Sequence, residues 1–389
     1  MYITDLLEKM VEAGASDIHL KTGSVPILRI DGELTLMKDW RSGRLTSSQT
    51  SELAFSMMNE IQRHRFEEHH ELDMAYSVSG LGRFRANIFM QRGSIGLVLR
   101  MIPFQVPGFA ELHLPPVLKK LAEHQRGLVM VVGPTGCGKS TTLAAMVDHI
   151  NATRKCHIMT VEDPIEYLHR DKESIINQRE IGIDTNTFAD ALRHVVRQDP
   201  DVILIGEMRD AETLTAALSA AETGHLVLTT LHTIDAPQTV KRMINLAPPY
   251  LHNQIQMQLS LTLQGIVSIR LLPRIDAEGR IPAVEVMIAS ALVRKLLEDN
   301  RIPEIADAIE KGGVHGMQSF HQELVRLCRE EKKITYEVAL AAASQPEKFK
   351  LAMSDLFTGD ESTYDVAEEV RKKEEAALKE EIQRKRLER

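Results

Sequence analysis

The sequence predicts an α/β protein in which a small α+β unit precedes a doubly wound parallel sheet. The chain has 389 residues, which is long for one domain and comfortable for two. In its second part, apolar runs alternate with helical stretches, as they do in a doubly wound sheet. A proline-rich segment precedes this part. We therefore expect an N-terminal domain over 1–100, a linker over 101–116, a larger domain over 117–350 and a charged tail over 351–389.

The first hundred residues carry short elements of both kinds. Helices are expected at Thr4–Ala13 and near Ser47–Asn59, and strands at Asp17–Lys21, Pro26–Leu36, Phe84–Met90 and Ile95–Arg100. The last two strands form a pair turned at Arg92-Gly93. Between Ile102 and Pro116 lie four of the chain's fifteen prolines. Because X-Pro steps disfavour helix and stiffen the chain, this segment suits a linker between domains.

The second part contains four continuous apolar runs, which are typical of buried parallel strands. They predict strands at Leu128–Val132, Ile158–Val161, Val202–Ile205 and Leu226–Thr230. Helices are expected between them near Thr141–Asn151, Phe188–Gln198 and Ala211–Thr223. Beyond Pro248 the pattern is helical, with a hairpin at Ile266–Ile288 turned by Asp276–Gly279.

The composition is that of a soluble globular protein, with 43% apolar and 26% charged residues. The sequence shows no run of 18 apolar residues and no signal-peptide stretch, so we expect a cytoplasmic protein. Its three cysteines lie far apart and form no CxxC pair, which argues against a zinc or redox site. The net charge of −8 argues against a nucleic-acid partner, because phosphate contacts need clustered Lys and Arg.

The strongest motif is the run GPTGCGKS, which matches the phosphate-loop pattern G-x-x-x-x-G-K-[ST]. A predicted strand enters the loop and a predicted helix leaves it, as the motif requires. Its glycines let the backbone wrap around phosphates, and the helix points its positive end at them. We expect ATP and Mg²⁺ here, with Lys139 on the β and γ phosphates and Ser140 on the metal. The predicted nucleotide-binding residues of the loop are Gly133, Pro134, Thr135, Gly136, Cys137, Gly138, Lys139, Ser140 and Thr141.

Three carboxylates, Glu162, Asp163 and Glu166, follow the second apolar strand. Open α/β sheets bind ligands at the carboxyl ends of their strands. Hydrolysis of ATP needs a carboxylate that orients or deprotonates a water beside the γ-phosphate. A purely structural role, as a capping Asp and surface glutamates, would suit one of the three but not all of them.

The third apolar strand ends in the sequence Gly206-Glu207. This segment is similar to a Walker B strand, whose carboxylate supports Mg²⁺ through water. Gly206 stands where many phosphate-loop enzymes have aspartate, so Glu207 is expected to hold the metal together with Ser140.

Two histidines, His225 and His232, flank the fourth apolar strand. Either one could be a hydrogen-bonded structural residue or a sensor of the γ-phosphate. They are seven residues apart, an odd offset that places them on opposite faces of an ideal strand. We therefore expect only one of them to point directly at a nucleotide.

The four segments GPTGCGKS, VEDPIE, GEMRD and GHLVLTTLHT, in this order, resemble the secretion ATPase superfamily, and most closely its PilT/PilU branch of type IV pilus retraction ATPases. The resemblance covers about residues 1 to 345. It implies a hexameric ring of subunits that each join an N-terminal PAS-like domain to a RecA-like ATPase domain. It also implies that Glu166 is the catalytic glutamate, that Glu207 is the Walker B glutamate, and that His225 and His232 form a His box.

The run around Arg83 and Arg85 is similar to the family's N-domain segment that lends arginines to bound nucleotide. Arginine suits this role because its planar, always charged head matches phosphate oxygens. Two arginines spaced by two also share one face of a strand. An ordinary solvated strand face is the alternative explanation.

Two features place the chain within the branch. It lacks the cysteines for the tetracysteine zinc module of assembly and type II secretion ATPases, which favours retraction. The segment Ala291–Asp299 matches only loosely the AIRNLIRE motif of PilT-like ATPases. This loose match and the charged tail make the chain resemble PilU more than PilT. The tail is either a solubilising segment or a helix that docks a partner.

The resulting hypothesis is an ATP-hydrolysing hexameric motor for type IV pilus retraction and twitching motility. Its expected partners are five further copies, the pilus platform protein of the inner membrane and a sister retraction ATPase. It would associate with that membrane peripherally. The alternatives are an ATP-binding adaptor without essential turnover, a pilus assembly or secretion ATPase, and a RecA-like nucleic-acid motor, against which the acidic charge argues.

Overall fold

The computed structural model describes residues 2–30, 32–37, 40, 42–103, 105–277 and 279–354. The chain forms two compact units, each built from two stretches of sequence. The first comprises Met1–Gly108 and Ser140–Glu207, and the second comprises Phe109–Lys139 and the chain from Met208. The domain boundaries given above stay a prediction. Most of the predicted tail, from residue 355 onwards, lies outside the described residues.

The elements up to residue 102 are α1 (Ile3–Glu12), β1 (Asp17–Lys21), β2 (Ile27–Ile30), β3 (Glu33–Leu36), α2 (Ser47–Met57), α3 (Glu60–His69), β4 (Glu71–Val78), β5 (Gly82–Gln91) and β6 (Ser94–Ile102). The predicted strand Pro26–Leu36 is in fact two strands, because the chain reverses at Gly32, where φ is +84°. The predicted turn at Arg92-Gly93 is confirmed, with positive φ at both residues.

The elements from 117 to 231 are α4 (Val117–Ala122), β7 (Gly127–Val132), α5 (Lys139–Thr153), β8 (His157–Glu162), β9 (Ile175–Glu180), α6 (Phe188–Val195), β10 (Val202–Ile205), α7 (Ala211–Glu222) and β11 (Leu226–Leu231). All four predicted strands are confirmed. Helix α6 ends three residues before its predicted end, and Asp199 adopts a left-handed φ of +55° just before Pro200. This fits the exclusion of helical geometry from a residue that precedes proline.

The remaining elements are α8 (Ala236–Leu246), α9 (His252–Thr262), β12 (Leu263–Pro273), β13 (Arg280–Ile288), α10 (Ala291–Glu298), α11 (Ile305–Lys311), α12 (Phe320–Val325), α13 (Tyr336–Ala342) and α14 (Pro346–Met353). The predicted hairpin is confirmed as β12 and β13, which pair antiparallel from Gly265–Ile288 to Pro273–Arg280. Asp235 begins α8 by accepting a hydrogen bond from the Gln238 backbone N–H at 2.8 Å.

The first unit contains a six-stranded antiparallel sheet in the order β3-β2-β1-β6-β5-β4. Apolar side chains of α1, α2 and one face of the sheet form its core, among them Leu7, Met10, Leu53 and Phe84. In the same unit β8 lies between β9 and β10 and runs parallel to both. The carboxyl ends of these three strands therefore lie at one edge.

In the second unit β7 lies between β11 and β12 and runs parallel to both. All six residues of β7 and of β11 are buried, which explains why they are apolar without alternation. A separate apolar cluster packs α12, α13 and α14 on the far ends of β12 and β13, with Phe320, Leu324 and Phe349 at its centre. Among the described residues, no helix is both long enough and apolar enough to cross a membrane.

Candidate nucleotide site

The phosphate loop, Gly133–Ser140, connects the buried strand β7 to α5, as its sequence predicts. Gly133 has a φ of +149°, and a Cβ atom there would lie 2.5 Å from both the Cys137 Sγ and the Ile269 carbonyl oxygen. No side chain can occupy that space without moving the backbone. The crest of the loop is exposed, at Pro134, Thr135 and Gly136. The loop is thus a tight, open-faced turn at the carboxyl end of a parallel strand.

Lys139 is folded back over this loop. Its Nζ donates hydrogen bonds to the carbonyl oxygens of Gly133, at 2.9 Å, and Pro134, at 3.0 Å, and lies 3.4 Å from the His232 Nδ1. These partners are carbonyl oxygens and an imidazole nitrogen, so the cation is held over the loop without a carboxylate. Such an arrangement attracts an anion that brings its own acceptor oxygens. Burial also raises the pKa of the neighbouring Cys137 thiol, so Cys137 is an inert part of the loop.

The first turn of α5 carries the two hydroxyl residues of the motif. Ser140 and Thr141 are both half-buried. The Thr141 hydroxyl lies 3.0 Å from the Tyr167 hydroxyl, which ties this turn to the segment after the VEDPIE motif. The hydroxyl of Ser140 therefore stands at the amino end of a fifteen-residue helix, where anions are favoured.

Glu162 ends β8 and is held by neutral donors. Its Oε1 accepts a hydrogen bond from the Thr160 hydroxyl at 2.6 Å and from the Gln178 side-chain amide at 3.2 Å. The backbone N–H of Glu166 also donates to this carboxylate. Burial, reinforced by the negative charge of Glu166, raises the pKa of Glu162 to about 7. Glu162 can therefore take up or release a proton at neutral pH.

Glu166 and Asp163 are exposed, in contrast to Glu162. The structure brings Glu162 and Glu166 together, as the electrostatic effect of one on the other shows. A half-buried carboxylate with a pKa near 7 beside an exposed carboxylate is the kind of pair in which acid and base roles separate. The sequence had singled out Glu166 and gave no sign that Glu162 would be the perturbed member.

The structure gives a physical reason for the glycine at position 206. Its N–H donates to the Val161 carbonyl at 2.8 Å, and a Cβ atom there would lie 3.3 Å from the Glu162 Cα. The aspartate that many phosphate-loop enzymes carry at this point would crowd the backbone of β8. Glu207, the next residue, is half-buried.

The two histidines lie at opposite ends of β11. His232 follows the last residue of the strand and approaches Lys139. His225 precedes the first residue, and its Nδ1 lies 2.9 Å from the Ala220 carbonyl oxygen of α7. The six residues between them span about 20 Å in a strand. The structure thus places His232 at the phosphate loop and His225 away from it, bonded to the end of α7.

Arg83 and Arg85 share the face of β5 opposite the buried Phe84 and Ala86. Arg83 donates to the Glu180 Oε2 at 2.8 Å, and Glu180 is only 6% exposed. Arg85 is exposed, and its Nε lies 3.9 Å from Asp73. One arginine is therefore engaged in a largely buried ion pair within its own unit, while the other is exposed to solvent.

Sequence reasoning missed several buried carboxylates, among them Glu180 and Glu285. Glu180 lies in the polar strand β9 and gives no sequence signal. Glu285 is the only charged residue in the run IPAVEVMI. An acidic residue inside an otherwise apolar strand predicts a buried, hydrogen-bonded carboxylate, so this signal was available.

Comparisons with known proteins agree with this geometry. The model of the family described as type II/IV secretion system protein matches residues 1–386. The type IV pilus ATPase PilU of Pseudomonas aeruginosa is 42% identical over 365 residues, covering 94% of this chain and 94% of that protein. The type IV pilus retraction ATPase PilT of the same organism is 43% identical over 349 residues, covering 90% of this chain and all of that protein.

Solved structures show the same relationship. The crystal structure of the pilus retraction motor PilT with bound ADP has a TM-score of 0.82 and 45% identity, covering 90% of this chain and 98% of that one. The ATPase DotB of Legionella pneumophila has a TM-score of 0.75 and 28% identity, covering 87% and 93%. These similarities confirm the predicted fold class, an N-terminal domain built on a sheet and a phosphate-loop ATPase domain, and the predicted resemblance to the PilT/PilU ATPases. The chain belongs to the type II/IV secretion system protein family and is one of its nucleotide-binding ATPases.

Proposed function

We propose that this chain is an ATP-hydrolysing motor that powers the retraction of type IV pili. The position of Lys139 is the observation that carries the proposal, because its ammonium is held over the phosphate loop by neutral acceptors. Support for pilus retraction comes from the relatives, one of which is named a retraction ATPase and another a retraction motor with bound ADP.

Lys139 and the loop N–H groups would bind the β and γ phosphates, and His232 would approach the γ-phosphate from the end of β11. Glu166 would orient the attacking water, whose oxygen bonds to the γ-phosphorus as the bond to ADP breaks. Glu162, with its pKa near 7, is suited to receive the proton that the water loses.

The hydroxyl of Ser140 and the carboxylate of Glu207 would hold Mg²⁺. Hard oxygen donors of these two kinds are the ligands that Mg²⁺ prefers, so the residues present fit the metal. When bound, the ion would neutralise charge on the β and γ phosphates.

The working assembly would be a ring of six copies, which works with the pilus platform protein and with a PilT-type sister motor at the inner membrane. Arg83 or Arg85 would reach bound nucleotide within such a ring. For Arg83 this requires exchange of its ion pair with Glu180.

The test is phosphate release by the purified protein, read beside pilus retraction in cells. Lys139→Ala and Glu166→Ala should each lower turnover by about a hundredfold or more and should weaken retraction. Glu173→Ala, at an exposed glutamate of the same unit, is the matched control and should leave both unchanged.

Loss of turnover with intact retraction would overturn the motor proposal and make the chain an adaptor. Loss of turnover with defective pilus extension would identify an assembly ATPase instead.

A further inference from the structure

Glu285 is a buried carboxylate to which the proposed mechanism gives no role. It lies on β13, is 8% exposed, and its Oε1 accepts hydrogen bonds from the Ala236 backbone N–H at 3.0 Å and from the Ser268 hydroxyl at 3.3 Å. Asp235 and Arg270 are the charged groups that act on it. Burial raises its pKa to about 6. A buried carboxylate is unfavourable unless it is hydrogen-bonded, so Glu285 depends on both of these hydrogen bonds.

The first bond fixes the start of α8. Ala236 is the first helical residue, and the loop 232–235 connects β11 to it. At the other end of this loop, the carbonyl of Leu231 accepts a hydrogen bond from the Gly133 N–H at 3.4 Å. The loop that carries His232 is therefore anchored at both ends, by Gly133 on one side and by Glu285 on the other.

The second bond leads to the base of the phosphate loop. Ser268 on β12 stands beside Val132 on β7 and opposite Glu285 on β13. Val132 is the residue before Gly133, and the next carbonyl of β12, that of Ile269, limits the space at Gly133. One carboxylate thus connects the strand beside the phosphate loop to the helix that follows the His232 loop.

We propose that Glu285 is a positioning residue that holds His232 against Lys139, so that the lysine is oriented before a nucleotide arrives. The inference rests on the proposed nucleotide function of the loop. It assigns to Glu285 an effect on nucleotide affinity through His232, and not through any contact of its own with the ligand.

The alternative is that Glu285 only stabilises the fold. A fold-stabilising carboxylate would change the free energy of unfolding, but its effect on affinity would not depend on which residue stands at 232. A double-mutant cycle between positions 285 and 232 separates these two roles.

The experiment measures binding of a fluorescent, non-hydrolysable ATP analogue with Mg²⁺ to the full chain, and Tm without nucleotide. Wild type against Lys139→Ala comes first, because binding that Lys139→Ala abolishes establishes the nucleotide site whatever the result at 285. Glu285→Met then removes the acceptor while roughly keeping side-chain volume. Glu285→Gln is the matched control, since its amide oxygen can still accept from the Ala236 N–H.

We expect Glu285→Met to raise Kd about three- to tenfold and to have no further effect in a His232→Ala background. Glu285→Gln should bind as wild type does. If Glu285→Met does not fold, Glu285→Asp replaces it, because its carboxylate ends one carbon short of Ala236.

The proposal is overturned if Glu285→Met, or Glu285→Asp in its place, leaves Kd unchanged. It is also overturned if the loss of affinity is equally large with alanine at 232, or if Glu285→Gln loses as much affinity as Glu285→Met.

Discussion

The ends of β8 and β9 carry two glutamates, Glu162 and Glu180, that stand side by side in the sheet register and are compensated in different ways. Glu180 is paired with Arg83 and also accepts the Ile165 N–H at 3.2 Å. Burial, with a smaller contribution from the negative Glu166, raises the pKa of Glu162 to about 7, and its uncharged donors offset only part of this rise. Neighbouring positions with the same side chain thus give one carboxylate paired with an arginine and one whose pKa is raised to about 7. The groups that surround each glutamate, and not its position in its strand, produce this difference.

The largest expected effect comes from breaking the Arg83–Glu180 pair. Arg83→Ala leaves Glu180 buried without its cation, which should destabilise the protein by about 2 to 4 kcal/mol. Chemical denaturation at pH 7.5 measures this change. Arg85→Ala is the matched control on the same strand, and its exposed contact with Asp73 should contribute no more than about 1 kcal/mol. Equal losses for the two arginines would mean that the buried pair gives Glu180 no special compensation.

The next effect depends on pH. The pKa of Glu162 is raised from 4.5 to about 7, so the folded chain holds a proton that the unfolded chain has released. The stabilisation from this proton is complete below about pH 4.5 and is lost as pH rises through about 7. Glu162→Gln has no such loss. The free energy of unfolding of Glu162→Gln, relative to wild type, should therefore rise by about 1 to 3 kcal/mol from pH 5 to pH 8.

Chemical denaturation of wild type and of Glu162→Gln at pH 5 and at pH 8 measures this change in relative stability. A gain that is the same at pH 5 and pH 8 would contradict the raised pKa. Glutamine keeps an acceptor for the Thr160 hydroxyl, so the comparison isolates the charge.

The smallest effect concerns the space beside Glu162. Gly206→Ala places a methyl group 3.3 Å from the Glu162 Cα, so β8 and β10 must adjust by a few tenths of an ångström, at a cost of about 1 kcal/mol. Gly108→Ala, where an added Cβ meets no atom within 4 Å, is the control and should be neutral within about 0.5 kcal/mol. A neutral Gly206→Ala would show that crowding is not why this strand end lacks a side chain. Tm comparisons suffice for both variants.

Much of the fold and part of the site could be predicted, because their causes are local in the sequence. The phosphate loop is encoded by eight consecutive residues, and the buried strands by uninterrupted apolar runs. The hairpin pair β5 and β6 follows from a turn at Arg92-Gly93. In each case the residues that produce the structure are adjacent in the chain.

The rest depends on contacts between distant residues. Arg83 and Glu180 are 97 positions apart, and Ala236 and Glu285 are 49 apart, so neither pair has a spacing rule that would reveal it. The raised pKa of Glu162 comes from burial, which the hydrogen bonds from Thr160 and Gln178 only partly offset, and the local sequence gives no sign of that burial. The two histidines show a subtler limit. Their spacing predicted opposite faces of the strand. The structure separates them mainly along the strand, because one lies at each end of the six residues of β11.

The contacts of Lys139 have a consequence for ligand choice. Binding at this loop is an exchange, in which the ammonium group gives up two carbonyl oxygens and a ring nitrogen for whatever oxygens the ligand brings. A ligand that offers one oxygen replaces one contact with another and gains little. A ligand that presents several oxygens at once repays all three losses together. The loop thereby favours a polyphosphate chain, whose adjacent phosphates can place oxygens on different sides of the ammonium group, over a lone phosphate or sulfate, whose four oxygens are all bound to one central atom.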